Sequence, residues 1–346
     1  MSENAPTLSD VAAHAGVSLA TASRALNGST RKVNAALQER VLASARELGY
    51  SPNVQAQAVA RGTSNVVALV VGDIADPYFA SIASGVVRVA DERGLIVTIT
   101  ATGPYAGQAS VAREQAALAA LRGQRPRAVV LAGSRVVRPD AQSAAAAPDD
   151  PLAGARANVA VVGGGAPEHR TVAVDNHGGA AALARELLAL GYSDFAVIAG
   201  PEELVTVRDR VDGFRSVVPS ASIAHAEFSR AGGRDAMAEM LRSGARPECV
   251  FAVSDVMAIG VMAALREAGI APGEEVAVAG FDDIPLVADV TPALTSVSLP
   301  LAEIGARALE LALADESDES DEQGGPDRER TPVSAEVRVR ASTPRR

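Results

Sequence analysis

Cysteine and lysine are almost absent from this sequence, since Cys249 and Lys32 are the only residues of their kinds in 346 positions. A lone cysteine can form neither an internal disulfide nor a cysteine-based metal cluster, and we expect a reducing, cytoplasmic setting. No lysine follows the glycine run 163–165 at the spacing of a phosphate-binding loop, and no GxSxG nucleophile motif occurs. The four histidines are scattered along the chain: His14, His169, His177 and His225. These absences predict that the chain is not an enzyme and holds neither a metal nor a cofactor.

Long hydrophobic runs are missing as well. Hydrophobic residues make up 48% of the chain, which is enough for a large core, but no uninterrupted run approaches the roughly 20 residues that span a bilayer. The first residues, MSENAPTLSD, have neither the basic nor the apolar region of a secretory signal. We therefore expect a protein that stays where it is made and has no membrane partner.

The negative charge of the chain is unevenly distributed. The net charge is −10, yet residues 1–62 contain six Lys or Arg against four Asp or Glu, and the remainder contains 26 against 38. Only the N-terminal segment could be attracted to phosphate. Because its excess is small, the placement of its basic residues must matter more than bulk charge.

The first fifty residues, called the head below, predict three short helices. The sequence Thr7-Leu8-Ser9-Asp10 has the form of a capping box and is followed by small apolar residues. Gly16 ends this helix, Ser18 can cap a second helix over 19–26, and a third begins near Asn34 and stops at Gly49. Three helices in so short a segment indicate a small bundle.

Beyond residue 65 the pattern changes to short β-branched runs separated by amphipathic helices. Strands are predicted at 66–71, 95–100, 128–131, 159–162, 172–174, 195–198, 249–253 and 276–279. Helices are predicted, among others, at 78–92, 109–122, 178–190, 233–242 and 256–268. Alternating strands and helices predict parallel α/β sheets, and so many strands favour two lobes. Ligands of such sheets bind at the carboxyl ends of the strands.

Two segments do not follow this pattern. Residues 141–156 are rich in Ala, Pro and Asp and predict a surface loop. Residues 315–330 are acidic and lack apolar side chains, so we expect a disordered insertion. It is either a solvated insertion, which we favour, or a decoy for basic partners. After it, 333–339 alternates as a closing strand.

Several independent motifs resemble the lac and galactose repressor family. In the head they are TLSDVAAHAGVSLATASRALNG and KVNAALQERVLASARELGYSPN; beyond it they are GDIADPYF, VAVDNHGGA, RDRVDGF, VSDVMAIG and VAGFDDIPLVADVTPALTSV. The resemblance covers nearly the whole chain. It implies a helix-turn-helix head, a core similar to type I periplasmic binding proteins with two Rossmann-like parallel-sheet lobes, and an allosteric repressor that binds a palindromic operator as a homodimer. A sugar or related metabolite would bind between the lobes.

The resemblance also implies domain boundaries. We expect the helix-turn-helix domain at 1–52, a hinge helix at 53–62 and a disordered acidic insertion at 315–330. The first lobe would comprise 63–160 and 292–314, and the second lobe 161–291 and 331–346. With no leucine heptad after the closing strand, a dimer is expected rather than a tetramer.

The second helix of a helix-turn-helix lies in the major groove, so the side chains at its start are the expected base readers. Arg24 can donate two hydrogen bonds to guanine, while Leu19 and Ala20 can contact thymine methyl groups. The alternative is a helical hairpin that reads nothing. Further DNA contacts are expected, most of them with phosphate, at Leu8, Ser18, Thr21, Ser23, Asn27, Arg31, Lys32 and Tyr50.

The segment NVQAQAVAR resembles the hinge helix of the family, which folds on DNA and inserts an apolar side chain into the minor groove. Val59 occupies the position of that wedge, where family members more often have leucine. DNA contacts are expected here at Asn53, Ala56, Gln57 and Val59. The alternative is an ordinary linker, since an isolated helix below about 12 residues rarely persists in water.

The resemblance places effector-binding residues in both lobes. Arg210 and Asp282 would donate to and accept from sugar hydroxyls, and the alternative for them is a structural ion pair. Tyr78, Phe79 and Phe228 would form an aromatic wall in a chain with 3% aromatic residues, although any one of them could be core. Asp175 and Ser254 are weaker candidates, and Ser254 replaces an asparagine of several family members. A sugar-binding transport component would share this core, but it would not need the head.

Overall fold

The structure, a computed structural model, describes residues 6–27, 33–51, 64–103, 108–133, 158–163, 170–314 and 333–346. They belong to two compact units, Met1–Ser64 and Asn65–Arg346, which are treated separately below. The predicted hinge helix at 53–62, the loop at 141–156 and the acidic insertion at 315–330 lie outside the described residues, so these three expectations stay predictions.

The head folds into the three expected helices, which are α1 (Leu8–His14), α2 (Leu19–Asn27) and α3 (Ala35–Glu47). The capping box at the start of α1 is confirmed. The Thr7 N–H donates to the Asp10 carboxylate at 2.8 Å, and the Asp10 N–H donates back to the Thr7 hydroxyl at 3.4 Å. Asn34 caps α3 by accepting from the Ala36 N–H at 2.9 Å. Each helix therefore begins at a side chain that the sequence marks.

Small side chains form the interior of the head. This buried cluster consists of Val11, Ala12, Ala15, Ala22, Ala25, Val41 and Ala45. Alanine lets the three helix backbones approach closely, so a bundle of some forty residues can exclude water without large side chains. The outer face of α2 does not contribute to this cluster and stays available for contacts.

The second unit, called the core below, alternates strands and helices as predicted. In chain order its elements are β1 (Val66–Val71), α4 (Pro77–Glu92), β2 (Ile96–Ala101), α5 (Gln108–Gln124), β3 (Ala128–Ala132), β4 (Val159–Val162), β5 (Arg170–Val172), α6 (Asn176–Ala189), β6 (Phe195–Ala199), α7 (Val205–Val217), β7 (Ser222–His225), α8 (Arg230–Arg242), β8 (Cys249–Ala252), α9 (Asp255–Glu267), β9 (Ala277–Asp282), a 3₁₀ turn (Pro285–Ala288), β10 (Thr295–Ser298), α10 (Leu301–Leu313) and β11 (Glu336–Arg338).

The strands form two sheets, one for each lobe. Within the described part of the chain, the first sheet has the order β2-β1-β3-β4-β5 and the second the order β7-β6-β8-β9-β10-β11. Neighbouring strands are parallel except for the antiparallel pair β10 and β11. The first five strands of both sheets follow the same order, so two similar α/β lobes are joined by crossing segments. The prediction of two parallel-sheet lobes is confirmed.

Helix α10 returns the chain to the first lobe and packs tightly on α4. A Cβ atom added at Gly85 of α4 would lie 1.7 Å from the Ala302 carbonyl oxygen of α10, so only glycine permits this crossing. The helix pair covers one face of the first sheet. Among the described helices, none is both long and apolar enough to cross a membrane.

The lobe boundaries predicted at 160 and 292 are wrong by several residues. Strand β5 continues the first sheet through the pairing of Ala160 with Arg170, so the first lobe extends past residue 170. Strand β10 pairs with β9 and belongs to the second sheet, which moves the return to the first lobe beyond residue 298. The first error arises because a short β-branched run shows where a strand lies but not which sheet accepts it. The second arises because β10 was not predicted as a strand.

The ends of the segment 315–332 lie beside one strand. The Arg170 guanidinium donates to the carbonyl oxygens of Leu311 and Ala314, both at 2.6 Å. The Val333 N–H donates to the Ala173 carbonyl at 2.8 Å, and Val333 bridges Val174. The predicted closing strand at 333–339 is thus this bridge followed by the shorter β11.

Candidate DNA-binding and effector sites

The outer face of α2 presents the predicted base readers. Leu19 is 51% exposed, which is unusual for a large apolar side chain, and Ala20 is also exposed. The Arg24 Nε–H donates to the Ala20 carbonyl at 2.9 Å, which folds this side chain back along its own helix. Two apolar surfaces and one guanidinium thus lie on the turn of α2 that a major groove would meet.

The other predicted DNA contacts in the head differ in their surroundings. Ser18 and Thr21 lie at the start of α2, where the Ser18 hydroxyl accepts from the Thr21 N–H at 3.2 Å. Leu8 and Tyr50 are partly buried against the head cluster. Ser23 is half-buried, and Asn27 ends the helix. The remaining predicted contacts lie outside the described residues: Arg31, Lys32, Asn53, Ala56, Gln57 and Val59.

Arg210 of α7 forms the polar centre of the core. Its side chain is 3% exposed and donates from Nη2 to Asp282 at 2.7 Å, from Nη1 to the Val253 carbonyl at 2.7 Å and from Nε to Asn176 at 2.9 Å. Its Cζ atom lies 3.8 Å above the ring centroid of Phe281. These bonds employ three of the five guanidinium N–H groups. The structure thus brings together Arg210 and Asp282, which the resemblance placed in one site, in a buried ion pair. This is the pairing given above as the alternative to effector binding, and their contact with an effector stays a prediction.

Asp282 ends β9 at the carboxyl edge of the second sheet, where ligands of α/β sheets bind. Burial raises the pKa of its carboxyl group, and the adjacent Arg210 charge opposes that shift. Asp282 has a φ of +107° and Asp283 a φ of +54°, both in the region that L-residues with side chains rarely adopt. The backbone is therefore held in a costly conformation at the point where the carboxylate meets Arg210.

The first lobe contributes a second carboxylate and two aromatic rings. Asp76 caps α4 by accepting from the Tyr78 N–H at 2.9 Å. The pKa of Asp76 is raised to about 6, mainly by burial; the hydrogen bond from the Tyr78 N–H opposes this rise, the charge of Asp282 adds to it and the charge of Arg210 opposes it. Burial also raises the pKa of the Tyr78 hydroxyl, with Asp282 adding to the shift. Asp76 and Tyr78 therefore lie within electrostatic range of the pair of Arg210 and Asp282.

Three aromatic side chains lie near the ends of strands in the two lobes. The rings of Tyr78 and Phe79 meet edge to face, with centroids 5.1 Å apart and planes at 82°. Phe228, which precedes α8, packs so closely over Gly200 that a Cβ atom there would lie 2.4 Å from the Phe228 Cδ2 atom. All three rings are only partly buried, which distinguishes them from the fully buried Phe214 and Phe251 of the second lobe.

The two weaker candidates are helix caps. Asp175 accepts from the Gly178 N–H at 2.8 Å and begins α6. Ser254 is buried and accepts from the Met257 N–H at 3.5 Å at the start of α9. Both side chains therefore have a local structural role, and their part in effector binding stays a prediction.

Four polar residues near the site were not predicted, although each lies within a motif quoted above. They are Asp76 in GDIADPYF, Asn176 in VAVDNHGGA, Asp255 in VSDVMAIG and Asp283 in GFDD. Asp255 is fully buried and accepts from the Ser296 hydroxyl at 2.6 Å and the Ile284 N–H at 2.8 Å. Burial, together with the charge of Asp282, raises the pKa of Asp255. The available signal was a polar residue within the first five positions after a hydrophobic strand. Over the described ranges, no group of three His, Cys, Asp or Glu side chains could hold a metal ion.

Comparisons with known families divide the chain as its fold does. Residues 7–53 match the family described as "Bacterial regulatory proteins, lacI family". Residues 184–343 match "Periplasmic binding protein-like domain". The head and the second lobe are thus recognised by separate families.

Individual relatives cover most of the chain. The HTH-type transcriptional regulator GalR of Escherichia coli (strain K12) is 32% identical over 317 residues, which are 89% of this chain and 88% of that protein. The HTH-type transcriptional regulator CelR of Thermobifida fusca is 32% identical over 320 residues, with 87% and 88% covered.

Two solved structures share the fold. A complex of the transcriptional regulator CelR with cellobiose has a TM-score of 0.63 and 30% identity, and covers 97% of this chain and 99% of its own. The lac repressor dimer bound to operator and the anti-inducer ONPF has a TM-score of 0.79 and 24% identity, with 99% and 100% covered. The chain therefore belongs to the lacI family of bacterial regulatory proteins, and it is a DNA-binding transcriptional regulator rather than an enzyme.

Proposed function

We propose that this regulator is a repressor that binds a palindromic operator as a homodimer and that a carbohydrate held between the two core lobes controls its affinity for DNA. The observation that carries the proposal is the buried ion pair of Arg210 and Asp282, at the carboxyl edge of the second sheet, where ligands of such sheets bind. Charged groups withdrawn from water are costly unless they meet polar partners. A polyol offers such partners to both lobes at once.

The chemistry of the site suits a sugar. A hydroxyl group both donates and accepts, so one carbohydrate can accept from the guanidinium of Arg210 and donate to the carboxylates of Asp282 and Asp76. The partly exposed rings of Tyr78, Phe79 and Phe228 offer apolar faces to the C–H surface of a sugar ring. The structure of the related CelR with cellobiose supports this ligand class.

The head would recognise the operator sequence. Leu19, Ala20 and Arg24 lie on the outer face of α2 and would contact bases, while Thr21, Ser23, Asn27 and Tyr50 would contact phosphate. A homodimer would place two such helices on the half-sites of a palindrome. The lac repressor dimer on its operator supports this arrangement, and DNA binding would keep the protein in the cytoplasm with the nucleoid.

Control of DNA binding requires that the sugar bind two conformations of the core with different affinities. Contacts from both lobes satisfy this requirement, because a ligand that touches Arg210 and Asp76 together binds best when the lobes are closed. The hinge segment at 53–62, predicted from its sequence, would transmit that closure to the head.

The test begins with selection of genomic fragments by the purified protein at physiological salt, followed by release assays with a panel of mono- and disaccharides. We expect an enriched palindrome and a sugar that changes its affinity severalfold or more. Arg210→Ala should abolish the response to sugar and retain the palindrome. Uniform, salt-sensitive binding without an enriched sequence, with or without sugars, would contradict the proposal.

A further inference from the structure

The turn that carries Asp282 is held by a second set of charges. Asp282 and Asp283 are consecutive non-glycine residues with positive φ, and such backbone persists only where its surroundings enforce it. The Asp283 carboxylate is 6% exposed and lies between two arginines that follow the acidic segment. It is 2.7 Å from Nη2 of Arg340 and 3.1 Å from Nη1 of Arg338.

Arg340 is itself fixed in place. Its backbone N–H donates to the Thr295 hydroxyl at 2.8 Å, and its Nη1 donates to the Leu294 carbonyl at 2.7 Å. Its side chain is 18% exposed, whereas that of Arg338 is 54% exposed. The contact of Arg340 with Asp283 is one of charge proximity, since Oδ1 of Asp283 has no aligned hydrogen bond. Arg340 is thus a preorganised positive charge beside the turn.

The backbone of the turn is anchored from strand β10 as well. The Asp283 N–H donates to the Ser296 hydroxyl at 3.1 Å, and that hydroxyl donates to Asp255 at 2.6 Å. These bonds hold the backbone of Asp283 against β10, while the two arginines hold its carboxylate. Without the arginines, the Asp283 carboxylate would be buried beside Asp282 and Asp255 with no compensating positive charge of its own.

We propose that Arg340, assisted by Arg338, is a positioning residue of the effector site. Through Asp283 it holds the left-handed turn that presents the Asp282 carboxylate to Arg210 and to a bound sugar. The proposal rests on the effector site proposed above. It extends that site to β11 and the residues directly after it, which no motif assigned to ligand binding contains.

Crystal structures of the full-length Arg340→Gln and Arg340→Lys variants without ligand test the positioning directly. In Arg340→Gln we expect Asp282 and Asp283 to leave the positive-φ region and the 2.7 Å contact of Asp282 with Arg210 to be lost. Arg340→Lys keeps a positive charge and should retain both. If Arg340→Gln keeps the turn and the contact, the proposal is wrong. Should Arg340→Gln fail to fold, Arg338→Gln removes the more exposed half of the clamp and should show the same displacement to a smaller degree.

Titration calorimetry supplies the functional reading, with D-glucose, D-galactose, D-ribose and cellobiose as probes. For any probe that binds the wild type, we expect Arg340→Gln to weaken binding about tenfold, as for a directly coupled neighbour, and Arg340→Lys to restore most of the affinity. The double variant with Asp283→Ala should lose no more affinity than Asp283→Ala alone. Fully additive losses would show that Arg340 does not act through Asp283 and would overturn the proposal.

Arg242→Gln is the matched control, because Arg242 is an exposed arginine of the same lobe paired with Glu239. It should change neither the turn nor the affinity. If the wild type binds none of the probes, the carbohydrate assignment fails for them, whereas the geometry of the turn in Arg340→Gln still decides whether Arg340 is a positioning residue.

Discussion

The head exposes the side chains proposed to read DNA, whereas the second lobe buries those proposed to bind the effector. In the head, Arg24 and Leu19 lie on the outer face of a bundle whose interior is mostly alanine. In the second lobe, Arg210 and Asp282 are 3% and 5% exposed and have been withdrawn from water. We therefore expect that the proposed DNA contacts can be changed with little effect on folding, whereas each charge of the proposed effector site also contributes to the stability of the core.

Removal of the buried guanidinium should have the largest effect. Arg210→Ala leaves the Asp282 carboxylate buried without its partner, and we expect the free energy of unfolding of the core to fall by about 3–5 kcal/mol. Urea unfolding followed by circular dichroism measures this. Arg208→Ala, at an exposed position of the same helix, is the control and should cost less than about 0.5 kcal/mol. Equal losses of stability in the two variants would show that the burial of Arg210 does not set the cost of removing it.

The corresponding change in the head should affect affinity alone. Arg24→Ala removes one base contact from each half-site, and we expect operator affinity to fall about 100-fold at fixed salt, measured by fluorescence anisotropy. Arg46→Ala is matched, because its Nε also donates to a carbonyl four residues earlier, at 3.3 Å, but it lies on α3. It should change affinity less than about threefold. A clear loss of stability in Arg24→Ala would contradict the expectation that exposed residues of the head affect affinity alone.

The motifs of the sequence predicted the paired recognition groups better than they predicted the strands around them. The capping box, the helix starts and the meeting of Arg210 with Asp282 follow from local signals and the resemblance. Strands β7 and β10 were not predicted. Strand β10 has the sequence TSVS, and its Thr295 and Ser296 are completely buried. Their hydroxyls are satisfied by Arg340 and Asp255, which are distant in sequence, so no local pattern could mark this strand as buried.

Asp76 carries a carboxyl group that is less buried than Asp282 and more buried than the exposed side chains of the head surface. Its pKa of about 6 in the folded protein exceeds its ordinary value of 3.8, so the folded state holds the proton more tightly and stability falls as pH rises between these values. Asp76→Asn keeps a helix cap without the charge. We expect it to be about 1–2 kcal/mol more stable than wild type at pH 7, less than the full shift because the carboxyl is partly exposed. The difference should vanish near pH 4. Equal stability of the variant and the wild type at pH 7 would contradict the assignment.

An exposed pair within the core gives the smallest expected effect. Arg88 and Glu92 lie one helical turn apart on α4 with a 3.1 Å contact, and both side chains are more than half exposed. Arg88→Ala should change the free energy of unfolding by less than about 0.5 kcal/mol, because water and salt screen such pairs. Urea unfolding at low and high salt checks this. A loss above about 1 kcal/mol would mean that even an exposed charge of this unit contributes strongly to its stability, so that burial does not set the cost of removing a charge.

The anchoring of Ala314 and Val333 beside one strand bears on how this protein could be engineered and how its length could vary. The residues that flank the segment 315–332 are held by Arg170, which donates to the Ala314 carbonyl, and by Ala173, which accepts from the Val333 N–H. Since each doubling of a flexible loop costs only about 0.6 kcal/mol in closure entropy, we expect this position to accept inserted sequence. A fluorescent reporter spliced between residues 315 and 332 would be tethered at the junction of the two lobes, where lobe closure could be followed as an optical signal.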